Sequence, residues 1–463
     1  MRNLLLALFC CLICTTMAMA QAPGNPGRGD IINEKSQVVQ ELKEETEKAV
    51  APTDVASIPV KKSNSTPGKK VPNSYIVLLK EDFVAPFASQ KSANSGSRET
   101  QAAAAKKHQA AAEKSIRKYA TEALGLSNDE IGEIFTGVQS GFTVNLKPKK
   151  AGAAAWMSQT KSAQNTADVI QDEEIEGAAY STGSMIDAYS PEAWAGQYAD
   201  YGNWVAGGCD CTGYSKWIWV VDSGIDLNHP DLNVMTSYAK SYVPGAATAE
   251  DDHGHGTHVA GIAAAKNNSY GALGIAYGAT VVPVKVLNSS NSGYYSWFVA
   301  GLNWVYNNSI AGDVVNFSIG GKISSGAAET IVETAIKKLA AKGVYVVIAA
   351  GNDKIHAGGY HPARLNAPNV FTIAATKQNG ILWWLNLFAD SFSNYGKPPV
   401  DFAAPGDNIY STYKNGGYRY MSGTSMAAPN FAGALLCGTK NKKGYNYSQV
   451  LPTSHNLYVI RPK

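Results

Sequence analysis

The chain has 463 residues, 45% of them hydrophobic and 17% charged, with 40 basic side chains against 37 acidic ones and a formal net charge of +3. Ordinary apolar content with a single long apolar run excludes a fibrous chain, a mostly disordered one and a polytopic membrane protein. A balanced charge without a clustered basic face leaves no footprint for nucleic acid or an anionic membrane surface, so neither is expected as a partner.

In chain order, the first segment reads as an address. Arg2 supplies a positive start, Leu4 to Cys14 an apolar stretch, and Ala18-Met19-Ala20 the small-x-small pattern of a signal peptidase site. Residues 1–20 are therefore expected to be removed before Gln21, and the protein to be secreted and extracellular. The apolar stretch falls short of the ~20 residues that span a bilayer, so no stable membrane anchor is expected. Residues 21–70 mix Pro, Gly, Ser, Lys and Glu with few large apolar side chains, a composition that predicts a disordered leader.

From Ser74 the pattern changes. Tyr75 to Leu79 and Gly141 to Leu146 read as strands, Thr100 to Glu122 and Ala151 to Lys161 as helices, and Ala167 to Ile170 as a further short strand. Together they predict a small α+β domain over 71–175. The Gly/Ser/Tyr-rich passage from Gly177 to Gly183 reads as an exposed, cuttable junction, and a second domain is expected over 183–463.

In that second domain, strands at Trp217 to Val221, Thr280 to Val286, Asp313 to Ser318 and Val344 to Ala349 alternate with helices from His255, around Ser296 to Asn307 and over Ala327 to Lys342. Near-continuous apolar strands separated by helices predict an α/β fold, a mostly parallel sheet covered on both faces. Of the six cysteines, Cys209, Cys211 and Cys437 remain after the signal segment. A bond between Cys209 and Cys211 would close a very tight ring, so one of them is expected to pair with Cys437, leaving a third thiol.

Three segments carry chemistry. Val220-Val221-Asp222-Ser223-Gly224 places a carboxylate at the carboxyl end of a buried strand, where ligands gather in open parallel sheets. Asp252-His253-Gly254-His255-Gly256-Thr257-His258 opens a helix with an imidazole at its start. Its histidines lack the i, i+4 pair with intervening Glu that puts zinc ligands on one helical face, so His258 reads as a core residue and His253 as a loop residue. Ser422-Gly423-Thr424-Ser425-Met426-Ala427-Ala428-Pro429 places a hydroxyl where a second helix begins, with its amide free to face a developing negative oxygen. A serine hydroxyl needs a base to take its proton and an acid to hold that base, which gives each segment a role. Asn352, in Ala350-Gly351-Asn352-Asp353, can donate a side-chain hydrogen bond to the same oxygen.

Together, in the order Asp, His, Ser, these segments resemble the secreted subtilisin family of serine endopeptidases, over about Asp222 to Ala434. The resemblance implies Asp222 as orienting carboxylate, His255 as general base and then acid, Ser425 as nucleophile and Asn352 as oxyanion donor. It implies protein or peptide substrates, bound in extended form along Ser318, Ile319 and Gly320, with a second edge at Ser292 and Gly293 and a pocket closed by Tyr295. Lys266-Asn267-Asn268-Ser269-Tyr270-Gly271-Ala272 resembles the family's structural Ca2+ loop. There Asn268 would offer its side-chain oxygen, Lys266, Tyr270 and Ala272 their carbonyls, and Asp231 a carboxylate, while a further ligand near the mature N-terminus has no assigned residue. The domain at 71–175 resembles the family's inhibitory propeptide, a ferredoxin-like α+β module, which implies a self-processing zymogen whose own propeptide is a partner and whose mature form is a monomer. Asn430 stands where the family commonly has His. No family role attaches to Gly207 to Cys211 or to Trp383-Trp384.

Overall fold

The computed structural model describes residues 69–89, 96–147, 152–176, 185–186, 197–199, 203, 208–323, 327–378, 387–389, 392–441, 445–449 and 458–462. All of them belong to the compact unit Ser57–Lys463. The expected signal segment, most of the leader, the 177–183 junction and Trp383-Trp384 lie outside the described residues.

The N-terminal part runs β1 (Lys70–Leu79), α1 (Arg98–Glu122), β2 (Ile131–Phe135), β3 (Gly141–Asn145), α2 (Ala153–Ser162), β4 (Thr166–Glu176). Its strands pair antiparallel in the order β4-β1-β3-β2, the ferredoxin-like arrangement. Alternation explains the sheet: Tyr75, Val77 and Leu79 sit with Phe142, Val144 and Val169 in one apolar cluster under α1 and α2. Ile76 and Ile170 point to the other face. The Ala-rich α1 starts at an N-cap, Ser97, whose hydroxyl accepts the Thr100 amide at 3.4 Å, with Glu99 in the positive first turn. Sequence periodicity did not reveal β2, because its register against β3 shifts between Ile131 and Ile134 and breaks the alternation.

The larger part is a parallel sheet. Its central strands are β5 (Ile218–Asp222), β6 (Thr280–Lys285), β8 (Val314–Phe317), β9 (Tyr345–Ala349), β10 (Val370–Gln378) and β11 (Val400–Pro405), with the three-residue edge β7 (Ser292–Tyr294) between β6 and β8 in the chain. The central order is β10-β9-β8-β5-β6, all parallel, with β11 parallel on β10 and, among the described residues, only Leu387–Ala389 antiparallel. The fully buried strands β5, β6 and β8 are near-continuous Val and Ile runs, as a sheet covered on both faces requires. One face carries α4 (Tyr295–Asn308) and α5 (Ala327–Ala341); the other carries α3 (His255–Ala264) and α6 (Thr424–Asn441). A hairpin, β12 (Ile409–Tyr413) with β13 (Gly417–Met421), leans on α3.

Two features lock this layout. The open face of the N-terminal sheet packs on α4, with Ile76, Phe135 and Ile170 in one cluster with Phe298 and Leu302. Each such side chain contributes roughly 1.5–3 kcal/mol when fully buried. A disulfide joins Cys209 to Cys437, with Cys211 left as a buried thiol whose Sγ is 3.3 Å from that of Cys209. The pairing that sequence left open thus falls to Cys209, whose amide is anchored on the Ile275 carbonyl at 2.9 Å.

Candidate active site

The ends of β5, β9 and the starts of α3 and α6 meet at one edge of the sheet, and four predicted residues stand there. Asp222 is the last residue of β5, His255 the first of α3, Ser425 the second of α6, and Asn352 follows β9 by three positions. Asp222, His255 and Ser425 have no exposed surface.

Asp222 Oδ1 accepts from His255 Nδ1 at 2.6 Å and from the Ser223 amide at 2.7 Å. Because Nδ1 carries the proton in that bond, Nε2 of a neutral His255 is the basic nitrogen. It has no hydrogen-bond partner among the described residues. Burial pulls the His255 pKa down, but the charge and hydrogen bond of Asp222, with Asp251 behind, outweigh it and hold the imidazole above its ordinary value.

A residue that sequence reasoning passed over fixes this pair. Asp251, itself buried, accepts from the amides of His253, Gly254 and Thr257 and from the hydroxyls of Ser223 and Thr257, at 2.6 to 3.1 Å. It thereby satisfies the orphan N–H groups at the start of α3, and the Gly256 amide finds Ser223 Oγ at 2.9 Å. Gly256 itself is required by contact: a Cβ there would fall on the Gly224 carbonyl oxygen. The signal available in sequence was an acid a few positions before a helix start.

Ser425 is tied reciprocally to Ser318. Ser425 Oγ donates to the Ser318 carbonyl at 3.2 Å, and Ser318 Oγ donates to the Ser425 carbonyl at 3.1 Å. The second bond has a clear cause. Pro429, inside α6, has no N–H for the carbonyl four residues earlier, and Ser318 replaces it. Asn430 Nδ2 bonds the Pro405 and Met426 carbonyls at 2.9 and 3.1 Å, so at this departure from the family pattern the side chain pins α6 to β11.

Asn352 Oδ1 accepts from both the Thr424 amide, at 2.8 Å, and the Thr424 hydroxyl, at 2.9 Å. A backbone N–H can only donate, so the oxygen of the Asn352 amide faces Thr424 and its NH2 is turned away from that residue. Thr424 Oγ1 also accepts the Gly351 amide at 3.0 Å. Thr424 thus orients the predicted oxyanion donor, a role that sequence reasoning did not assign.

The binding residues are placed as follows. Ser318 and Ile319 are fully buried just beyond β8, and the Gly320 carbonyl accepts from the Tyr360 phenol at 3.2 Å. Ser292 and Gly293 form the edge β7, which pairs antiparallel with β4: Ser292 with Glu176, Gly293 with Ile175, Tyr294 with Glu174. The predicted second edge is therefore occupied by the chain's own residues 174–176. Tyr295, first residue of α4, is buried in the cluster that contains Ile175, with its ring 5.6 Å from that of His361. Asp172, two residues before this contact, is fully buried and accepts the Ser296 amide at 3.0 Å and hydroxyl at 2.5 Å, with Ser74 Oγ at 3.0 Å. A carboxylate at the positive end of α4 is favoured electrostatically, while burial pushes its pKa up.

The calcium-loop residues surround Asp231. Its Oδ1 accepts from Asn268 Nδ2 at 2.8 Å and its Oδ2 from the Ala272 amide at 3.0 Å and the Tyr418 phenol at 3.2 Å. Burial pushes its carboxyl up to about 7. The carbonyls of Lys266 and Ala272 converge on the Gln197 side chain, at 2.5 and 2.9 Å. Gln197 is a residue to which sequence reasoning gave no role. Amide, carbonyl and carboxylate oxygens are the hard donors that suit calcium, and here the Gln197 NH2 is what meets both carbonyls. In this structure, however, Asn268 turns its oxygen to the Tyr270 amide, 3.1 Å away, and its NH2 to Asp231.

The chain is similar to known proteins of one family. The Subtilase family profile matches residues 216–451, just over half of the chain. Subtilisin NAT of Bacillus subtilis subsp. natto is 42% identical over 228 residues, 48% of this chain and 55% of that protein, so the chain spans about half the length of that relative. Subtilisin Savinase of Lederbergia lenta is 40% identical over 239 residues, 52% of this chain and 81% of that protein. A solved structure of a cold adapted subtilisin-like serine proteinase is 31% identical, covering 55% of this chain and 90% of that one, with a TM-score of 0.45.

Proposed function

Since the chain belongs to the subtilase family, we propose that it is a secreted serine endopeptidase, made as a zymogen, that cuts extended polypeptides through an acyl-enzyme. The observation that carries this reading is the buried 2.6 Å bond between His255 Nδ1 and Asp222 Oδ1, and it is supported by the bonds of Ser425 to Ser318 just beyond β8 and of Asn352 to Thr424 at the start of α6.

The chemistry follows from these positions. Ser425 Oγ attacks the scissile carbonyl as His255 Nε2 takes its proton; Asp222 holds the ring in the tautomer that leaves Nε2 basic and stabilises the imidazolium that forms. The Asn352 NH2 and the Ser425 amide donate to the oxyanion. His255 then returns the proton to the leaving amine, the acyl-enzyme forms, and a water activated by the same nitrogen releases the acid. Backbone pairing along Ser318 to Gly320 and on β7 would give affinity with little sequence demand, and Tyr295 would close an apolar pocket.

Residues 71–175 act as the inhibitory propeptide. Their last strand already extends β7 as a substrate strand would, and Asp172 caps α4. Self-cleavage between 177 and 183 would free a monomeric enzyme. Calcium, held by Asp231, Lys266 and Ala272 carbonyls, Tyr270, Asn268 and Gln197, would serve as a structural ion. Secretion through the segment before Gln21 accounts for the disulfide, which persists in oxidising compartments.

A serine-directed covalent inhibitor tests the central claim. Mass spectrometry of the secreted product is expected to find the label on Ser425 and a chain that begins within or soon after 177–183. Ser425→Ala is expected to abolish peptide hydrolysis and leave the precursor uncut. A variant that still matures alone at the normal rate would falsify self-processing.

A further inference from the structure

At the opposite edge of the sheet from the catalytic groups lies a second built site. It sits at the amino ends of β5 and β8, and five residues of β5 at about 3.3 Å each put it roughly 15 Å from Asp222. Its centre is Asp313, fully buried, the residue before β8.

Three N–H groups of the catalytic part hold this carboxylate: Trp217 N on Oδ1 at 3.1 Å, and Trp219 Nε1 and Ile310 N on Oδ2 at 2.9 and 3.1 Å. These donors are fixed by backbone and indole, so they orient the carboxylate whatever faces it. What faces it is Arg98, the first residue of α1. Its Nη1 and Nη2 bind Oδ2 and Oδ1 of Asp313 at 2.6 and 2.9 Å. Nη1 also donates to the Asn308 carbonyl at 3.0 Å and Nη2 to the Ser215 carbonyl at 3.3 Å. The guanidinium lies 3.6 Å over the Trp217 ring.

A planar fork with an acceptor pair at its end, one carbonyl on each flank and an aromatic floor fits arginine specifically. An ammonium could not satisfy both flanks while stacking. The nearby buried Lys342 does not compete, since its ammonium is committed to the Tyr306 and Ser309 carbonyls at 2.5 and 2.7 Å.

We propose that Asp313, the Trp217 ring and the Asn308 and Ser215 carbonyls form a guanidinium exosite of the catalytic part. Arg98 fills it in the intact chain, and an arginine side chain of another polypeptide fills it after residues 69–176 leave. The second half rests on the zymogen reading above; the first does not. The exosite adds an anchor at Asp313, through the first residue of α1, to the contacts that the N-terminal part makes at β7 and on α4. A released enzyme would favour partners that present an arginine far from the bond being cut.

The test uses the full chain with Ser425→Ala, which keeps it intact. Adding Arg98→Ala is expected to lower Tm by about 5 °C or more, because it leaves a buried carboxylate without its cation. Millimolar methylguanidinium is expected to restore much of that loss and to do nothing for the parent; methylammonium is expected to fail. Equal effects of the two cations, or equal effects on variant and parent, would overturn the proposal. If Arg98→Ala does not accumulate, Arg98→Lys decides: a Tm equal to that of the parent refutes a guanidinium-specific site, and a lowered one supports it. For the second half, N-acetylarginine amide is expected to perturb the tryptophan fluorescence of the processed enzyme, the citrulline analogue not, and Trp217→Leu to remove the response. No response in a processed enzyme would overturn that half, whereas an enzyme that never processes would refute the zymogen reading and leave the rescue result standing.

Discussion

His255 and His258 lie one helical turn apart, yet their surroundings drive them in opposite directions. His255 is held above its ordinary pKa by Asp222, so hydrolysis is expected to rise with pH through a value above about 6.5, where Nε2 becomes free to accept a proton. Asp222→Asn should cost about 10⁴ in kcat, since an amide there can present the wrong tautomer; a pH–rate profile that stays the same in shape and height would contradict the assignment. His258 is fully buried, donates from Nε2 to the Arg419 carbonyl at 2.8 Å, and is pushed down to about 3, chiefly by burial. Its folded pKa lies below its unfolded one, so its neutral form is favoured in the fold. Stability is full above about 6.5 and falls as the pH drops toward about 3, by up to about 1.4 kcal/mol per unit. His258→Gln, which can keep the donor, should flatten that acid slope in urea melts. For Asn352→Ala the expected loss in kcat is roughly 10² to 10³, a magnitude taken from a subtilisin. Thr424→Ala should reproduce part of it with KM little changed, because it removes the hydroxyl that is one of the two donors to the Asn352 oxygen and leaves the substrate contacts in place.

At the scale of elements, what could be read ahead of the structure depended on how long and how uniform each pattern was. The apolar runs of β5, β6 and β8 and the small-residue starts of α3 and α6 are local signals, and the carboxylate, imidazole and hydroxyl carried by β5, α3 and α6 were found with them. The strands β10 to β13 were not predicted. Phe371-Thr372-Ile373 and Val400-Asp401-Phe402 interleave polar residues that find partners only in the fold, as where Asp401 accepts the Thr372 amide at 2.9 Å. Positioning residues were illegible for the same reason. Thr424 orients Asn352 across 72 positions, and Gln197 reaches Lys266 across 69. No periodicity encodes such pairs. The pairing of β4 with β7 was not legible: the strand read from sequence, Ala167 to Ile170, stops short of residues 174–176 that make the contact, and the edge at Ser292 and Gly293 came only from the family resemblance.

For the molecule as a whole, the disulfide and the proposed calcium loop give separate tests of stability outside the sheet itself. If calcium occupies the Asp231 loop, chelation should lower Tm of the processed enzyme while inhibitor labelling of Ser425 at low temperature stays complete; an unchanged melting curve would remove the ion from the account. Replacing Cys437 by Ala should lower stability by about 2–5 kcal/mol, since the bridge spans a sequence separation of 228 and constrains the unfolded chain accordingly.

That bridge has a topological side as well. Positions 209 and 437 enclose Asp222, His255, Asn352 and Ser425 in one covalent ring. On the proposed endopeptidase reading, each molecule would be surrounded by copies of itself, and its own surface turns would be among the bonds they meet. A single nick anywhere inside the ring leaves the two pieces tethered, so a clipped molecule should migrate as one species on a gel without reductant and split into two only when thiol is added.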